Sequence, residues 1–295
     1  MSPAPFRRAL VLANPIAGRG RARAAAEHLV AGLARAGIAC DLHFTTARGD
    51  ARQRARSLEP EFDLAVSVGG DGTLGEVLEG LAGREIPVAI LPIGTANVMS
   101  LDLGVPRDVD RVVEIIRQGK TSALDTARVN ASRLSFLVTS VGFDAAAVHE
   151  LEARRRGPIT RTHYLTAGLR ALWRYEPRRL SVEVDGRAVP GTFALVLASN
   201  IVHYGGFGVL SDDRRIDDGL FEVYLFANGS RASLLGYALR ALVAGLPGGS
   251  CTRVRARSIQ ITSDAPAPCQ VDGDAFGETP VEIAVDPVQS RLVVP

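Results

Sequence analysis

Cysteine is scarce in this chain and poorly spaced for covalent or metal chemistry. Of 295 residues only Cys40, Cys251 and Cys269 are cysteines, an odd number without a CxxC pair. That excludes a disulfide framework and a cysteine-based zinc site, and suits a reducing cytosol. Long apolar runs are also missing. No stretch of about eighteen apolar residues occurs, and Met1 to Arg8 lacks the core of a signal peptide, so any contact with lipid is made from the surface. An excess of one charge is lacking as well: 34 Lys and Arg stand against 32 Asp and Glu, a formal +2, which removes a global drive toward nucleic acid. The five histidines, His28, His43, His149, His163 and His203, have no metal-ligand spacing, and no Ser-His-Asp arrangement can be assigned. GxxxxGK[ST] is absent, and so is GxGxxG after the first strand.

What is present is the material for a large core. The chain is 46% hydrophobic and 22% charged, and its length exceeds what one core usually organises, so two domains are expected. The first third alternates apolar runs with helical patterns. Strands are predicted over Ala9–Ala13, Ile38–Phe44, Asp63–Val68 and Ile86–Leu91, with helices over Arg21–Ala36, Asp50–Leu58, Leu74–Leu81, Ala96–Leu103 and Val109–Arg117. This predicts an α/β domain over residues 1–121, with a mostly parallel sheet. From residue 122 to 295 the pattern becomes β-rich, which predicts an antiparallel, sandwich-like domain. Its strands are Ala123–Val129, Ser135–Ser140, Leu180–Val184, Thr192–Ser199, Leu220–Phe226, Val254–Ile261, Gln270–Asp272 and Val281–Val285. Helical insertions are expected near Asp144–Trp173 and Ala232–Ala244, and Gly205-Gly206-Phe207-Gly208 reads as a loop.

Val66-Ser67-Val68-Gly69-Gly70-Asp71-Gly72-Thr73-Leu74 runs an apolar strand into a glycine turn and a helix. Glycines admit a phosphate close to the backbone, and the helix N-terminus presents positive partial charge. An ordinary turn capped by Asp71 or Thr73 is the competing account. Leu91-Pro92-Ile93-Gly94-Thr95-Ala96-Asn97 repeats the device, and Asn14-Pro15-Ile16-Ala17-Gly18 follows strand one. Parallel topology brings such turns together at the carboxyl edge of the sheet, where a nucleotide cleft explains all of them economically.

These motifs, in this order, resemble the diacylglycerol kinase catalytic-domain family, which includes bacterial lipid kinases and sphingosine kinases. The resemblance continues at Ile216-Asp217-Asp218-Gly219-Leu220-Phe221-Glu222-Val223 and Gln270-Val271-Asp272-Gly273-Asp274, and so covers nearly the whole chain. It implies a nucleotide domain followed by a β-rich lipid-binding domain, with the last strand returning to the first. It also implies an ATP- and Mg²⁺-dependent lipid kinase of phospholipid metabolism, cytoplasmic and in peripheral contact with the inner face of the membrane, and it leaves a homodimer open. Asn14, Thr45, Gly70, Asp71, Gly72, Thr73, Glu76 and Thr95 match the nucleotide contacts. Asp272 matches the general base, and Asp218 with the carbonyls of Arg215 and Leu220 matches a magnesium site. On residues alone, both aspartates read equally as Asp-Gly turns.

Three positions depart from the family pattern: Gly75 replaces Asn, Val98 replaces Asp, and Asp274 replaces the frequent Glu after Asp272-Gly273. The segment from Leu151 to Leu180 holds eight arginines and two glutamates, a local +6, together with Leu165, Leu169, Leu172 and Trp173. Such a stretch suits an anionic membrane surface, and a solvated helical face with a packed side accounts for it equally. Two further functional readings remain in play. One is an NAD kinase, in which Asp71 is the critical carboxylate. The other is a noncatalytic lipid-binding protein of the same fold.

Overall fold

The computed structural model describes residues 5–154, 161–204, 208–210, 215–243, 246 and 248–295. Gly205, Gly206 and Phe207 lie outside the described residues, as do Arg155 and Arg156 of the basic segment and the side chains of His163, Leu165 and Leu169. The chain divides into two compact units, Met1–Leu124 with Val288–Pro295, and Asp125–Pro287.

The first unit contains β1 (Arg8–Ala13), α1 (Arg21–Arg35), β2 (Ala39–Phe44), α2 (Asp50–Arg56), β3 (Leu64–Gly69), α3 (Asp71–Gly80), β4 (Val88–Pro92), α4 (Val98–Asp102), α5 (Val109–Gln118) and β5 (Thr121–Leu124). With the C-terminal strand Ser290–Val293 they form one six-stranded sheet, in the order β2-β1-β3-β4, C-terminal strand, β5. Pairings from β2 through β4 are parallel, and only β5 runs antiparallel to its neighbour. Parallel strands bury both faces, which is why they read as unbroken apolar runs. On one face Ala9, Val11, Leu64, Val66 and Leu91 pack with Ala22, Ala26, Leu29 and Leu33 of α1 and Val112 and Ile116 of α5. Each such Leu or Val stabilises by roughly 1.5–3 kcal/mol on burial. The chain passes from β1 outward to β2 and then back to β3 on the other side, so a topological switch point falls between β1 and β3.

The second unit carries β6 (Ala127–Val129), β7 (Arg133–Ser135), β8 (Val138–Gly142), α6 (Phe143–Ala153), α7 (Arg161–Arg174), β9 (Leu180–Val184), β10 (Arg187–Ala188), β11 (Leu195–Ser199) and β12 (His203–Tyr204). It continues with β13 (Gly208–Val209), β14 (Phe221–Phe226), α8 (Arg231–Val243), β15 (Cys251–Ala256), β16 (Ser258–Ser263), β17 (Pro268–Val271), β18 (Asp274–Glu278) and β19 (Val281–Val285). Two six-stranded antiparallel sheets result, ordered β10-β9-β16-β19-β6-β7 and β15-β14-β11-β8-β17-β18. Val129, Val182, Ile259, Ile261 and Ile283 from the first sheet share a core with Val141, Val196, Val223, Leu225 and Val271 from the second. This is a β-sandwich, and the fold class is the α/β-plus-β-rich one expected.

The predicted strand boundaries need correction in several places. Ala123–Val129 is two strands in different sheets, broken at Asp125-Thr126, where the Asp125 amide turns to the Ile216 carbonyl at 2.6 Å. Val254–Ile261 likewise breaks at Arg257, whose N–H bonds the Asp185 carboxylate at 2.9 Å. Ser135–Ser140 turns a corner at Phe136-Leu137, and the Asp144–Trp173 insertion contains two helices. Asp272 is a turn residue after β17, not the end of a strand.

Candidate active site

In the first unit, three turns converge on the carboxyl edge of the sheet. The Ile93 and Gly94 amides both bond the Gly69 carbonyl, at 2.8 and 3.0 Å, so the turn after β4 lies on the turn after β3. Contact is close enough to require glycine. A Cβ on Gly94 would lie 2.5 Å from the Gly70 Cα and 2.7 Å from Asn97 Oδ1. Gly18, at φ +60°, brings the turn after β1 against Ile93 in the same way, its would-be Cβ lying 2.4 Å from Ile93 Cγ2. Asn14 joins this edge through its N–H to the Val68 carbonyl at 3.0 Å, and Thr45 through its N–H to the Ala13 carbonyl at 2.9 Å.

Asp71 begins α3 and does not cap it. Gly70 is the N-cap and no side chain caps the helix, whose Thr73 and Leu74 N–H groups both turn back to the Gly70 carbonyl, at 3.0 and 3.1 Å. The Asp71 carboxylate instead crosses to the neighbouring turn, accepting the Val98 N–H at 3.0 Å and the Met99 N–H at 3.3 Å. It thereby caps α4, whose own N-cap, Asn97, sits at φ 51° and donates from Nδ2 to the Gly94 carbonyl. Burial pushes the Asp71 carboxyl up, against these amides, which pull it down. Asn97 Oδ1 is buried with no hydrogen-bond partner, an acceptor beside Gly70 and Gly94. Thr73 is buried, Gly72 and Thr95 are exposed, and Glu76 accepts the Gly49 N–H at 2.8 Å. All eight expected nucleotide residues thus belong to this one unit. The glycine cradle, the uncapped helix start and the orphaned acceptor suit a polyphosphate with a hydroxyl- or amino-bearing group attached.

In the second unit, Asp272 and Gly273 are the two central residues of the β17–β18 hairpin, at φ 51° and 87°, the left-handed pair of a type I′ turn. The turn presents the Asp272 carboxylate to the corner between β7 and β8. Oδ2 accepts the Phe136 N–H at 3.0 Å, while Oδ1 accepts the N–H groups of Leu137 and Val138, both at 2.9 Å, and the Ser135 hydroxyl at 3.2 Å. Oδ1 is therefore saturated, and the open acceptor position is on Oδ2. Burial pushes this carboxyl up to about 6, with the amides of Phe136, Val138 and Leu137 and the Ser135 hydroxyl opposing. Asp274, at the position of the family's Glu, pairs with Arg133 at 2.7 Å. Gln270 braces the turn from the other side, Oε1 accepting the Gly273 N–H at 2.8 Å.

The loop from Arg215 to Leu220 lies in the same unit. Asp218 Oδ1 accepts the Leu220 N–H at 3.2 Å, and Arg215 pairs with Asp217 at 3.2 Å. The loop is pinned by Asp125, fully buried, whose Oδ2 accepts the Gly219 N–H at 2.8 Å. A hydrogen-bonded path then joins loop and hairpin: Asn200 donates from Nδ2 to the Asp125 carbonyl at 2.7 Å and from its backbone to the Leu137 carbonyl at 2.7 Å. Leu137 in turn holds Asp272. Neither Asp125 nor Asn200 belongs to a motif found in the sequence. Among the described residues no group of three or more His, Cys, Asp or Glu side chains could hold a metal ion. A cation at this loop would rest on one carboxylate and main-chain carbonyls, hard oxygen donors suited to magnesium.

Comparison with known proteins defines the class. The diacylglycerol kinase catalytic domain matches residues 8–129, and the YegS C-terminal NAD kinase beta sandwich-like domain matches residues 137–294. The chain belongs to the family defined by the YegS C-terminal domain, with a diacylglycerol kinase catalytic domain preceding it, and is a lipid kinase. Among its relatives, a diacylglycerol kinase of Bacillus subtilis (strain 168) is 27% identical over 241 residues, covering 80% of this chain and 79% of the relative. A probable lipid kinase YegS-like protein of Stenotrophomonas maltophilia (strain K279a) is 28% identical, covering 88% of each. A crystal structure of a putative diacylglycerol kinase from Bacillus anthracis str. Sterne shares the fold, with a TM-score of 0.79 at 23% identity over 98% of both chains.

Proposed function

We propose that the protein transfers the γ-phosphoryl group of ATP to the hydroxyl of diacylglycerol or a similar lipid alcohol, acting as a peripheral enzyme at the cytoplasmic face of the membrane. The observation that carries this reading is the Asp272 carboxylate, fixed by four donors with one acceptor position open on Oδ2 and a carboxyl raised to about 6. Such a group is ionised at neutral pH and accepts a proton readily, as a base for an alcohol nucleophile must. As the lipid oxygen attacks phosphorus, its proton passes to Asp272 Oδ2 and the β–γ bridging oxygen leaves with ADP. Phosphoryl transfer asks little more than positioning and charge stabilisation. Asn14, Thr45, Gly70, Gly72, Thr73, Glu76 and Thr95 contact the nucleotide, Asp71 holds the two glycine turns in register, and the positive end of the α3 dipole faces phosphate oxygens. Magnesium entering with ATP would neutralise phosphate charge. A second ion would be held by Asp218 and the carbonyls of Arg215 and Leu220, and would order their loop.

Incubation with labelled ATP and a total lipid extract, followed by identification of the labelled product, tests the reading. Label in phosphatidic acid or another phosphorylated lipid alcohol is the expected result. Label in NADP when NAD is offered alongside, or in no product at all, rejects it.

A further inference from the structure

Helix α8 buries Leu234 and Tyr237, and the Tyr237 ring packs edge-on against Phe226 with centroids 4.8 Å apart. A helix with one buried stripe ordinarily presents polar residues on the other. Here the outer stripe is Arg231, Leu235 and Leu239, at four-residue spacing, and the two leucines are 58% and 60% exposed. Helix α7 repeats the arrangement. It buries Ala167 and Ala171 and leaves Trp173, the only tryptophan of the chain, 69% exposed. Arg231 joins the two helices: its guanidinium lies 5.0 Å from the centre of the Trp173 ring, and it donates to the carbonyls of Leu172 and Trp173, both at 3.0 Å. Trp173 is thereby continuous with the leucine stripe.

The charge carried by the two helices that build this apolar face has one sign. The sequences of α7 and α8 contain Arg161, Arg170, Arg174, Arg231 and Arg240 and no Asp or Glu. Arg174 has Glu150 within reach, at 3.9 Å. A second copy of the chain docking face to face would set arginines against arginines, which costs affinity. An anionic bilayer satisfies both features, taking leucines and indole at the acyl boundary and guanidinium groups on phosphates. No helix among the described residues is long and apolar enough to cross a membrane, so such contact lies in the interface plane.

We propose that the face built from Trp173, Arg231, Leu235 and Leu239 docks the protein on an anionic lipid bilayer. Its purpose, delivery of a membrane-borne substrate, rests on the lipid-kinase reading, but docking itself is measurable without ATP. Trp173, as the sole tryptophan, reports directly. Titration of the full chain with vesicles of phosphatidylglycerol and phosphatidylcholine should blue-shift its emission and cosediment the protein, and pure phosphatidylcholine vesicles should do so weakly. The Leu235→Ser, Leu239→Ser double variant should bind the anionic vesicles roughly 100-fold more weakly. Its circular dichroism and its activity on a short-chain, water-dispersed diacylglycerol should be unchanged. Unshifted emission with no cosedimentation overturns the proposal. So does a lipid-independent shift that follows protein concentration with formation of a dimer, which assigns the face to a second copy. Vesicle binding without phosphorylation of any lipid supports the docking face and rejects the kinase reading instead.

Discussion

Asp71 and Asp272 stand in the same local sequence, an apolar strand followed by Asp-Gly, yet the two units use them differently. In the first unit the carboxylate reaches 27 residues along the chain to amides of another helix, one on each oxygen, and welds two glycine turns together. In the second unit three successive amides and a hydroxyl close around the carboxylate, three of the four donors on a single oxygen, so that the other oxygen keeps an open acceptor position. Backbone conformation separates them too: Asp71 opens a helix, whereas Asp272 is left-handed at φ 51° and projects from a hairpin. An Asp-Gly pair is thus a way to aim a carboxylate, and the amides it meets decide whether both of its oxygens are tied equally or one keeps an open acceptor position.

This contrast breaks most sharply under mutation. Asp272→Ala should lower turnover by about 100-fold or more, the scale of a lost general base, and leave ATP affinity intact. Equilibrium ATP binding and steady-state turnover on one preparation check both halves. Next in size, Gly94→Ala should weaken ATP binding and stability together by about 1–3 kcal/mol, because the new methyl meets the Gly70 backbone. Gly72→Ala, which meets no protein atom within 4 Å, is its control in the melt. Asp71→Ala uncovers the first amides of α4, and a loss of about 1 kcal/mol in denaturant unfolding is expected, with KM for ATP raised more than kcat is lowered. Asn200→Ala removes the bridge between Asp125 and the Asp272 corner. It should reduce kcat by roughly tenfold, the effect of a misplacement small on the atomic scale, with ATP affinity untouched.

The sequence exposed these two aspartates unequally. The first unit was legible because its elements are local: apolar run, glycine turn and helix follow one another within Val66–Leu81, and convergence of the turns follows from parallel topology. The role of Asp71 was not, since its partners Val98 and Met99 lie beyond the next strand and carry no marking side chain. Asp272-Gly273 was legible as a turn, but the amides that hold its carboxylate lie more than 130 residues away, at a corner inside what looked like the single strand Ser135–Ser140. Asp125 was hidden for a similar reason: it interrupts an apolar run with neither glycine nor proline beside it, and its bonds go to Ile216 and Gly219. Long-range hydrogen bonding, which leaves no periodic trace, accounts for each omission.

The pH dependence of kcat/KM for the lipid substrate tests the central claim most directly, because it reads the protonation of the base in the free enzyme. The Asp272 carboxyl is raised from its ordinary value to about 6, so the active, ionised form is lost as pH falls through that value. The same sign makes the ionised group a liability to the fold: stability it contributes when protonated is lost as pH rises from the ordinary carboxylate range to about 6. The account predicts a rising limb with an apparent pKa of about 6 and a plateau above it, present in the wild type and absent from the residual rate of Asp272→Ala. A limb at the ordinary carboxylate value, or one that survives in that variant, would contradict it.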